Sequence, residues 1–186
     1  MRKFPQFEFS HVGIFVFDID KMTRFYQELL GLLETDRGVV HGNTPVVFMS
    51  RSARDHHQVV LAGGRTAEPG AKLINQISLR VDSLGDLRSI FQTASERTDV
   101  SNLRAVTHGN AYSVYFSDPE GNQLEFFTDA PWYVEQPIID PLDLSKSDEE
   151  ILSETYESFK DKPGFKKFSE WQEQLQERID ASEDKQ

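Results

Sequence analysis

The stretch that decides the fold is His108-Gly-Asn-Ala-Tyr-Ser-Val-Tyr-Phe-Ser-Asp-Pro-Glu-Gly-Asn-Gln-Leu-Glu125. A β-branched and aromatic run ends at Ser117, a turn sequence with an early proline and a late glycine covers residues 118–121, and apolar residues resume around Glu125. This order predicts a β-hairpin, two strands joined by a tight turn. Because strand side chains alternate between two faces, Tyr115 shares a face with Ser113, and Glu125 is a carboxylate within an apolar strand.

Length and composition indicate one well-buried domain. The chain has 186 residues, 38% of them hydrophobic, and no cysteine, which excludes disulfides and thiolate metal sites. A net charge of −11 disfavours nucleic acid as a partner, because binding a polyanion relies on clustered Lys and Arg. No apolar run approaches the roughly 20 residues that span a membrane, and no targeting run follows Met1. We therefore expect a soluble cytoplasmic protein.

The first half of the chain reads as a strand, a helix and three further strands. A β-prone run at residues 7–17 contains His11, and Asp18 or Asp20 then caps a helix that stops near Gly31. Strand-like runs follow at residues 37–41, 45–50 and 55–62. Residues 63–72, rich in Gly, Ala and polar residues, indicate a linker.

The second half repeats this order. It contains a strand at residues 73–81, a helix capped by Ser83, and strands at about 103–107, 113–117 and 123–128. Placing Gln76 on His11 also brings Val81 onto Val16, so we infer a duplicated βαβββ unit with modules at about residues 7–62 and 73–129. The predicted fold class is α+β: two paired βαβββ modules that form a half-closed barrel around a cleft, because pairing buries the apolar sheet face of each module.

The hairpin resembles the signature of the type I extradiol ring-cleavage dioxygenases, within the vicinal oxygen chelate superfamily of glyoxalases, bleomycin-resistance proteins and dioxygenases. That pattern is a His, a short gap, an apolar residue and a Tyr, an Asp-Pro-x-Gly turn, and a Glu. Here His108, Val114-Tyr115, Asp118-Pro-Glu-Gly121 and Glu125 fill it. The resemblance implies the paired βαβββ fold over residues 7–129. It is more specific for the superfamily than for the reaction.

The resemblance also implies a divalent metal, held by the first strand of each module and by the last strand of the second. The matching positions are His11, Gln76 and Glu125. The family pattern has a His where Gln76 stands, and an amide oxygen is a weaker donor than imidazole for Fe(II), the metal of this pattern. Three possibilities follow: a working His, Gln and Glu site; a site selective for a harder ion such as Mn(II) or Mg(II); or a site that binds a small molecule without metal.

Three further residues match the catalytic positions of the family. His57 matches an acid/base histidine, although a one-residue change of register would exchange it with His56. Tyr115 and His108 match the Tyr and His that orient a catecholate hydroxyl beside the metal. The resemblance therefore implies an extradiol-type dioxygenase that acts on a catecholic or related aromatic small molecule and dioxygen.

Two other functions stay open. A glyoxalase-type lyase or isomerase would need a carboxylate on the last strand of both modules, and the first module offers Gln58-Val59-Val60 there. A metal-free binding protein of the bleomycin-resistance kind would need neither His57 nor Tyr115. We expect no nucleic acid and no membrane as partners in any of these cases.

Residues 130–186 extend beyond the duplicated unit as an extended segment and two helices. Trp132 and Tyr133 either cap the cleft or pack on the sheet exterior. Ser147-Asp-Glu-Glu150 is a capping box for a helix to about Phe159. A second helix carries an apolar stripe of Phe168, Trp171, Leu175 and Ile179, which packs either on its own domain or on a second subunit in a homodimer.

Overall fold

The structure is a computed structural model that describes residues 9–40, 42–68 and 74–183, without the side chains of residues 179, 182 and 183. His41, the start of the first predicted strand, residues 69–72 of the predicted linker, Leu73 and the Ile179 side chain lie outside the described residues. Within these ranges, no helix combines the length and the apolar character that crossing a membrane requires.

The first module contains one helix and four strands. Its elements are β1 (Val12–Val16), α1 (Ile19–Leu30), β2 (Leu33–Val40), β3 (Thr44–Ser50) and β4 (Val59–Gly63). Asp18 caps α1, because its carboxylate accepts a hydrogen bond from the backbone N–H of Lys21 at 2.9 Å. Gly31 ends α1 with φ of 64°, a left-handed conformation that costs glycine nothing sterically.

The second module repeats this series. Its elements are β5 (Ile77–Arg80), α2 (Leu84–Ser95), β6 (Ser101–Thr107), β7 (Ala111–Ser117) and β8 (Gln123–Asp129). The predicted hairpin is β7 and β8, which pair antiparallel with Tyr115 opposite Glu125. The Ser83 hydroxyl caps α2 by accepting from the backbone N–H of Asp86 at 3.1 Å.

Each module forms one mixed sheet whose first strand runs parallel to its last. The strand orders are β1-β4-β3-β2 in the first sheet and β6-β7-β8-β5 in the second. A short strand from the C-terminal extension, β10 (Asp140–Pro141), pairs with the β6 edge of the second sheet. The α+β fold of two βαβββ modules is therefore confirmed.

Alternation along the strands gives each sheet two different faces. In β1, Ile14 and Val16 are buried in the core formed with the helices, whereas Gly13 and Phe15 are exposed. In β8, Leu124 belongs to the same core and the neighbouring Glu125 points to the opposite side. We call the face turned away from α1 and α2 the inner face.

A buried carboxylate joins the two modules. Glu120, in the turn between β7 and β8, accepts hydrogen bonds from the backbone N–H groups of Phe17 and Asp18, both at 2.9 Å. The Arg65 guanidinium lies 3.6 Å from the same carboxylate, and both side chains are more than nine-tenths buried. The hydroxyl of Tyr26 in α1 donates to Asp118 of the same turn at 3.2 Å. The hairpin turn therefore holds the start of the first module's helix.

The C-terminal extension covers part of the second module. It contains β9 (Trp132–Tyr133), β10, α3 (Asp148–Phe159), β11 (Lys166–Lys167) and α4 (Phe168–Glu183). The capping box at Ser147 and Glu150 is present. Trp132 is buried against Tyr156 and Phe165. The indole of Trp132 therefore packs within the extension and does not cap a cleft.

The stripe on α4 contacts its own extension. Tyr133 stacks on Trp171 with ring centroids 5.1 Å apart, and Phe168 contacts Trp171 at 5.4 Å. Phe168, Trp171 and Leu175 are half-buried. Association with a second subunit stays a prediction.

Several strand boundaries differ from the sequence-based expectation. The strands predicted at residues 7–17 and 73–81 begin at Val12 and Ile77, so His11 and Gln76 each directly precede their strand. The strand predicted from Arg37 begins four residues earlier, at Leu33, because β2 follows the helix directly and every described residue in it is exposed, so apolar periodicity gives no signal. The strand predicted at 55–62 begins at Val59, and residues 55–58 form a loop. Gln58 ends that loop by accepting from the backbone N–H of Arg51 at 3.0 Å.

We expect Glu120→Ala to lower the free energy of unfolding by about 3 kcal/mol, because it leaves two backbone donors without their acceptor and removes the buried charge that pairs with Arg65. Chemical denaturation followed by circular dichroism measures this change. Glu173→Ala, at an exposed position of α4, is the control and should change the free energy by less than about 0.5 kcal/mol. A Glu120→Ala variant as stable as the control would show that the turn does not hold the modules together.

Candidate functional site

The carboxylate of Glu125 is the centre of the site. Pairing in the second sheet places Glu125 between Tyr115 of β7 and Ser78 of β5. Its Oε1 accepts from Ser113 Oγ at 2.9 Å and from the Tyr115 hydroxyl, and its Oε2 accepts from Ser78 Oγ at 2.5 Å and from Gln76 Nε2 at 2.6 Å. A carboxylate offers about four lone-pair positions, and protein donors occupy all of them. Glu125 is 6% exposed, and these bonds satisfy its charge where water has little access.

His108 extends this network toward solvent. Its Nε2 lies 3.0 Å from the Tyr115 hydroxyl and 3.8 Å from Oε1 of Glu125. Its Nδ1 lies 2.7 Å from the backbone carbonyl of Ile138. A carbonyl can only accept, so Nδ1 carries a proton. His108, Tyr115 and Glu125 thus form a continuous chain from a partly exposed imidazole to a buried carboxylate.

Tyr115 has one proton and two neighbours that compete for it. If its hydroxyl donates to Glu125, then His108 Nε2 must donate to Tyr115, and His108 is an imidazolium. If Tyr115 donates to a neutral His108, then Glu125 must hold a proton. Both arrangements hold the same number of protons, one more than a neutral His108 beside an ionised Glu125. The chain can therefore pass a proton between its ends through Tyr115.

Burial, and then the hydrogen bond to Glu125, raises the pKa of Tyr115 well above its usual range. Both causes disfavour the phenolate, since it would be poorly solvated and would lie beside a carboxylate. Tyr115 is therefore a neutral hydroxyl at physiological pH.

A second cluster lies in the first module. His11, directly before β1, contacts His57 with ring centroids 4.3 Å apart. His57 Nδ1 lies 2.9 Å from Nδ1 of His56, which bonds to Asp36 at 2.8 Å through its Nε2. His57, and not His56, therefore faces His11. Burial, followed by the nearby imidazoles of His11 and His56, lowers the pKa of His57, so its neutral form persists to lower pH.

The predicted metal ligands do not form a complete set. Among the described residues, no group of three or more His, Cys, Asp or Glu side chains is arranged to hold a metal ion. Gln76 directs its amide nitrogen at Glu125, and four protein donors saturate that carboxylate. The donors as arranged do not fit a divalent cation. An amide oxygen of Gln76 turned toward Glu125 would instead place two oxygens about 2.6 Å apart with no proton between them.

A cavity between the modules lies beside these residues. Its volume is about 310 Å³, and its lining includes Gly13 and Phe15 from the inner face of β1 and Gln123 from the inner face of β8. Gln123 is two residues from Glu125 on one face, and Phe15 is four residues from His11. None of the six predicted site residues lines the cavity itself.

Sequence reasoning missed the roles of three neighbours of Tyr115 and Glu125. Ser113 and Ser78 donate to Glu125, and the Arg104 guanidinium stacks over the Tyr115 ring at 4.6 Å. Alternation places Ser113 on the face of Tyr115, as the sequence predicts, but it does not reveal the bond of Ser113 to Glu125. Ser78 and Arg104 depend on the pairing of β5 with β8 and of β6 with β7, and the motif carries no information on that register.

The chain belongs to the Glyoxalase/Bleomycin resistance protein/Dioxygenase superfamily, whose family model matches residues 8–126. It is 28% identical to biphenyl-2,3-diol 1,2-dioxygenase 2 of Rhodococcus globerulus over 126 residues, which are 66% of this chain and 63% of that enzyme. The chain thus spans less than two thirds of that relative's length. It is 26% identical to the uncharacterized protein YwbC of Bacillus subtilis (strain 168) over 121 residues, 63% of this chain and 94% of YwbC.

The solved structures bear out the fold. A glyoxylase/bleomycin resistance protein/dioxygenase domain from Frankia sp. EAN1pec superposes with a TM-score of 0.54 at 19% identity, covering 67% of this chain and 99% of that domain. At this identity the likeness concerns the fold alone.

We expect Tyr115 to stay protonated when the absorbance of tyrosinate at 295 nm is followed through pH 10, because its pKa is raised. In the folded protein, Tyr115→Phe should leave the absorbance rise near pH 10 unchanged. In denaturant, where all five tyrosines titrate freely, the same variant should lose one fifth of the rise. A loss in the folded variant equal to the absorbance change of one tyrosine would place Tyr115 in an ordinary environment.

Proposed function

We propose that the protein binds a small aromatic molecule with adjacent hydroxyl groups, the substrate class of the extradiol dioxygenases, and moves a hydroxyl proton through His108, Tyr115 and Glu125. The observation that carries this proposal is the buried Glu125 carboxylate, which is bonded to Tyr115 and through it to His108. Such a chain gives up or takes a proton at its accessible end without exposing the buried charge.

The surroundings support an aromatic ligand. A cavity of about 310 Å³ is at the lower end of ligand-pocket sizes and suits a single substituted ring. Phe15, which lines it, is 63% exposed on the inner face. Phe48 lies beside His57 with ring centroids 5.1 Å apart. Phe15 thus offers a stacking surface in the cavity, and Phe48 offers one beside the His57 imidazole.

His57 supplies the base in this proposal. Its lowered pKa keeps the imidazole neutral near physiological pH, so that it accepts a proton from a phenolic hydroxyl. His11, in ring contact with His57, limits how that imidazole turns. His57 thus acts as the acceptor, and the chain that reaches solvent at His108 supplies the donor.

Ring cleavage with dioxygen is the second candidate. The complete pattern of His108, Tyr115 and Glu125 favours it, and so does the 28% identity to a protein named as a biphenyl-diol dioxygenase. Fe(II), or Mn(II) as the harder alternative, would supply the oxygen chemistry when bound by His11, Gln76 and Glu125. For this, Gln76 would have to turn its amide oxygen inward, and Glu125 would have to release at least one of its four donors.

A glyoxalase-type reaction has less support. It needs a second carboxylate, on the last strand of the first module. The oxygen of Gln58 there is occupied by the backbone N–H of Arg51 at 3.0 Å, and Val59 and Val60 follow in β4. The same inner-face position thus offers no acidic group.

Calorimetric titration with catechol, phenol and anisole tests the binding proposal. We expect the order of affinity catechol, phenol, anisole, because each hydroxyl removed deletes one hydrogen bond. Tyr115→Phe should weaken catechol binding about tenfold, as the loss of a hydrogen bond in a desolvated site does. Tyr156→Phe, in the C-terminal extension, is the matched control and should bind like the wild type. Equal affinities for all three ligands, or for both variants, would contradict the proposal.

Metal analysis distinguishes the second candidate. After anaerobic incubation with Fe(II) and desalting, we expect the wild type to retain little iron, because Gln76 and Glu125 are bonded to each other. Gln76→His should raise retention at least tenfold, since it supplies a second imidazole and frees one position on Glu125. Gln92→His, on the exposed surface of α2, is the matched control. Near-stoichiometric iron in the wild type that is lost in Glu125→Ala would instead establish the metal site.

A further inference from the structure

The loop that carries His108 is held from outside the two modules. Nδ1 of His108 donates to the carbonyl of Ile138 at 2.7 Å, and the side-chain amide of Gln136 donates to the carbonyl of His108 at the same distance. Both partners belong to the extended segment after β9, which is no part of either βαβββ unit. The extension therefore contacts the site through the backbone and the ring of one residue.

Close packing fixes this contact. Gly109 has φ of 77°, and a Cβ atom there would come within 2.5 Å of Cγ1 of Val134. The indole N–H of Trp132 donates to the Gly109 carbonyl at 2.8 Å. Val134 and Trp132 are buried, so the extended segment packs closely against the loop that carries His108. A side chain at residue 109 would separate the two.

Gln136 links the segment to the loop and shapes the segment at once. Its Nε2 donates to the carbonyl of His108, and its Oε1 accepts from the backbone N–H of Ile138 at 3.1 Å. The Gln136 side chain thus sets the distance between His108 and Ile138. The carbonyl of Ile138 is presented to the imidazole as a result.

We propose that Gln136 and the Ile138 carbonyl are positioning residues that hold His108 in the tautomer with a proton on Nδ1, so that Nε2 faces the Tyr115 hydroxyl. A neutral imidazole has two tautomers, and the bond made by one nitrogen decides the role of the other. Without the extension, the neutral ring could carry its proton on Nε2. That tautomer could not accept the proton of Tyr115, and the chain to Glu125 would work in one direction only.

Nitrogen-15 spectroscopy of the ligand-free, full-length protein tests this inference. Two-bond correlations between ring protons and ring nitrogens report which nitrogen of each histidine is protonated, and the signals missing from His108→Gln identify His108 among the five histidines. In the wild type we expect Nδ1 of His108 to be protonated at pH 6 and at pH 9. In Gln136→Ala, the Ile138 carbonyl is no longer held against the ring, so the Nδ1 proton should exchange about fivefold faster, a factor equivalent to about 1 kcal/mol of hydrogen bonding.

Gln176→Ala is the matched control, since it removes the same side chain from the exposed surface of α4 in the same extension. It should leave the His108 signals unchanged. A bare Nδ1 in the wild type at pH 9 would overturn the inference, and so would a Gln136→Ala spectrum identical to that of the control. Neither result depends on a ligand, so failure of the binding proposal and failure of this inference are separate outcomes.

Discussion

The two modules are joined by one buried carboxylate, which accepts hydrogen bonds from two backbone N–H groups. Each module forms a sheet whose first strand, β1 or β5, lies at the edge of that sheet within the part of the chain that the structure describes. Such a unit leaves an edge and an apolar surface that need a partner. Glu120 bonds to the N–H groups at the start of the other module's helix, with Arg65 beside it. A buried charge with these partners tolerates few alternative arrangements, so it sets how the modules sit on each other.

The hairpin of β7 and β8 contains two glutamates, Glu120 and Glu125, with different structural roles. Glu120 lies in the turn and binds backbone groups of the other module. Among the described residues, the partners of Glu125, five residues later, are side chains of its own module. The inter-module contact and the candidate site thus share one rigid element. A change in the turn would alter how His11 and His57 of the first module align with the Glu125 network of the second.

Most of the fold follows from the sequence because its signals are local. Asp18 and Ser83 cap helices, Gly31 ends one, and the turn after Ser117 defines the hairpin. The repeated order of elements then gives the pairing of the modules. The predicted starts of β2 and β4 were wrong. The sequence gives no periodic signal for β2 because that strand is exposed throughout, and the residues before β4 form a loop that the Gln58 side chain holds.

The site is predictable only in part. The motif leads to His108, Tyr115 and Glu125, and the structure joins these three by hydrogen bonds. The sequence leaves the choice between His56 and His57 open, and the ring contact with His11 decides which one faces it. The partners of Gln76 and His108 come from pairing across strands and from a segment some thirty residues away, which no local pattern encodes.

The close packing of Val134 against Gly109 has an evolutionary consequence. A chain that carries this extension cannot accept a side chain at residue 109, and a chain that gains one there must release the segment that steadies His108. Loss of the extension would remove the steric clash at residue 109 and the anchor of the imidazole in a single event, and the positive φ would then be the remaining reason for glycine there. A residue with a side chain directly after this histidine should therefore occur only in relatives that lack the extension.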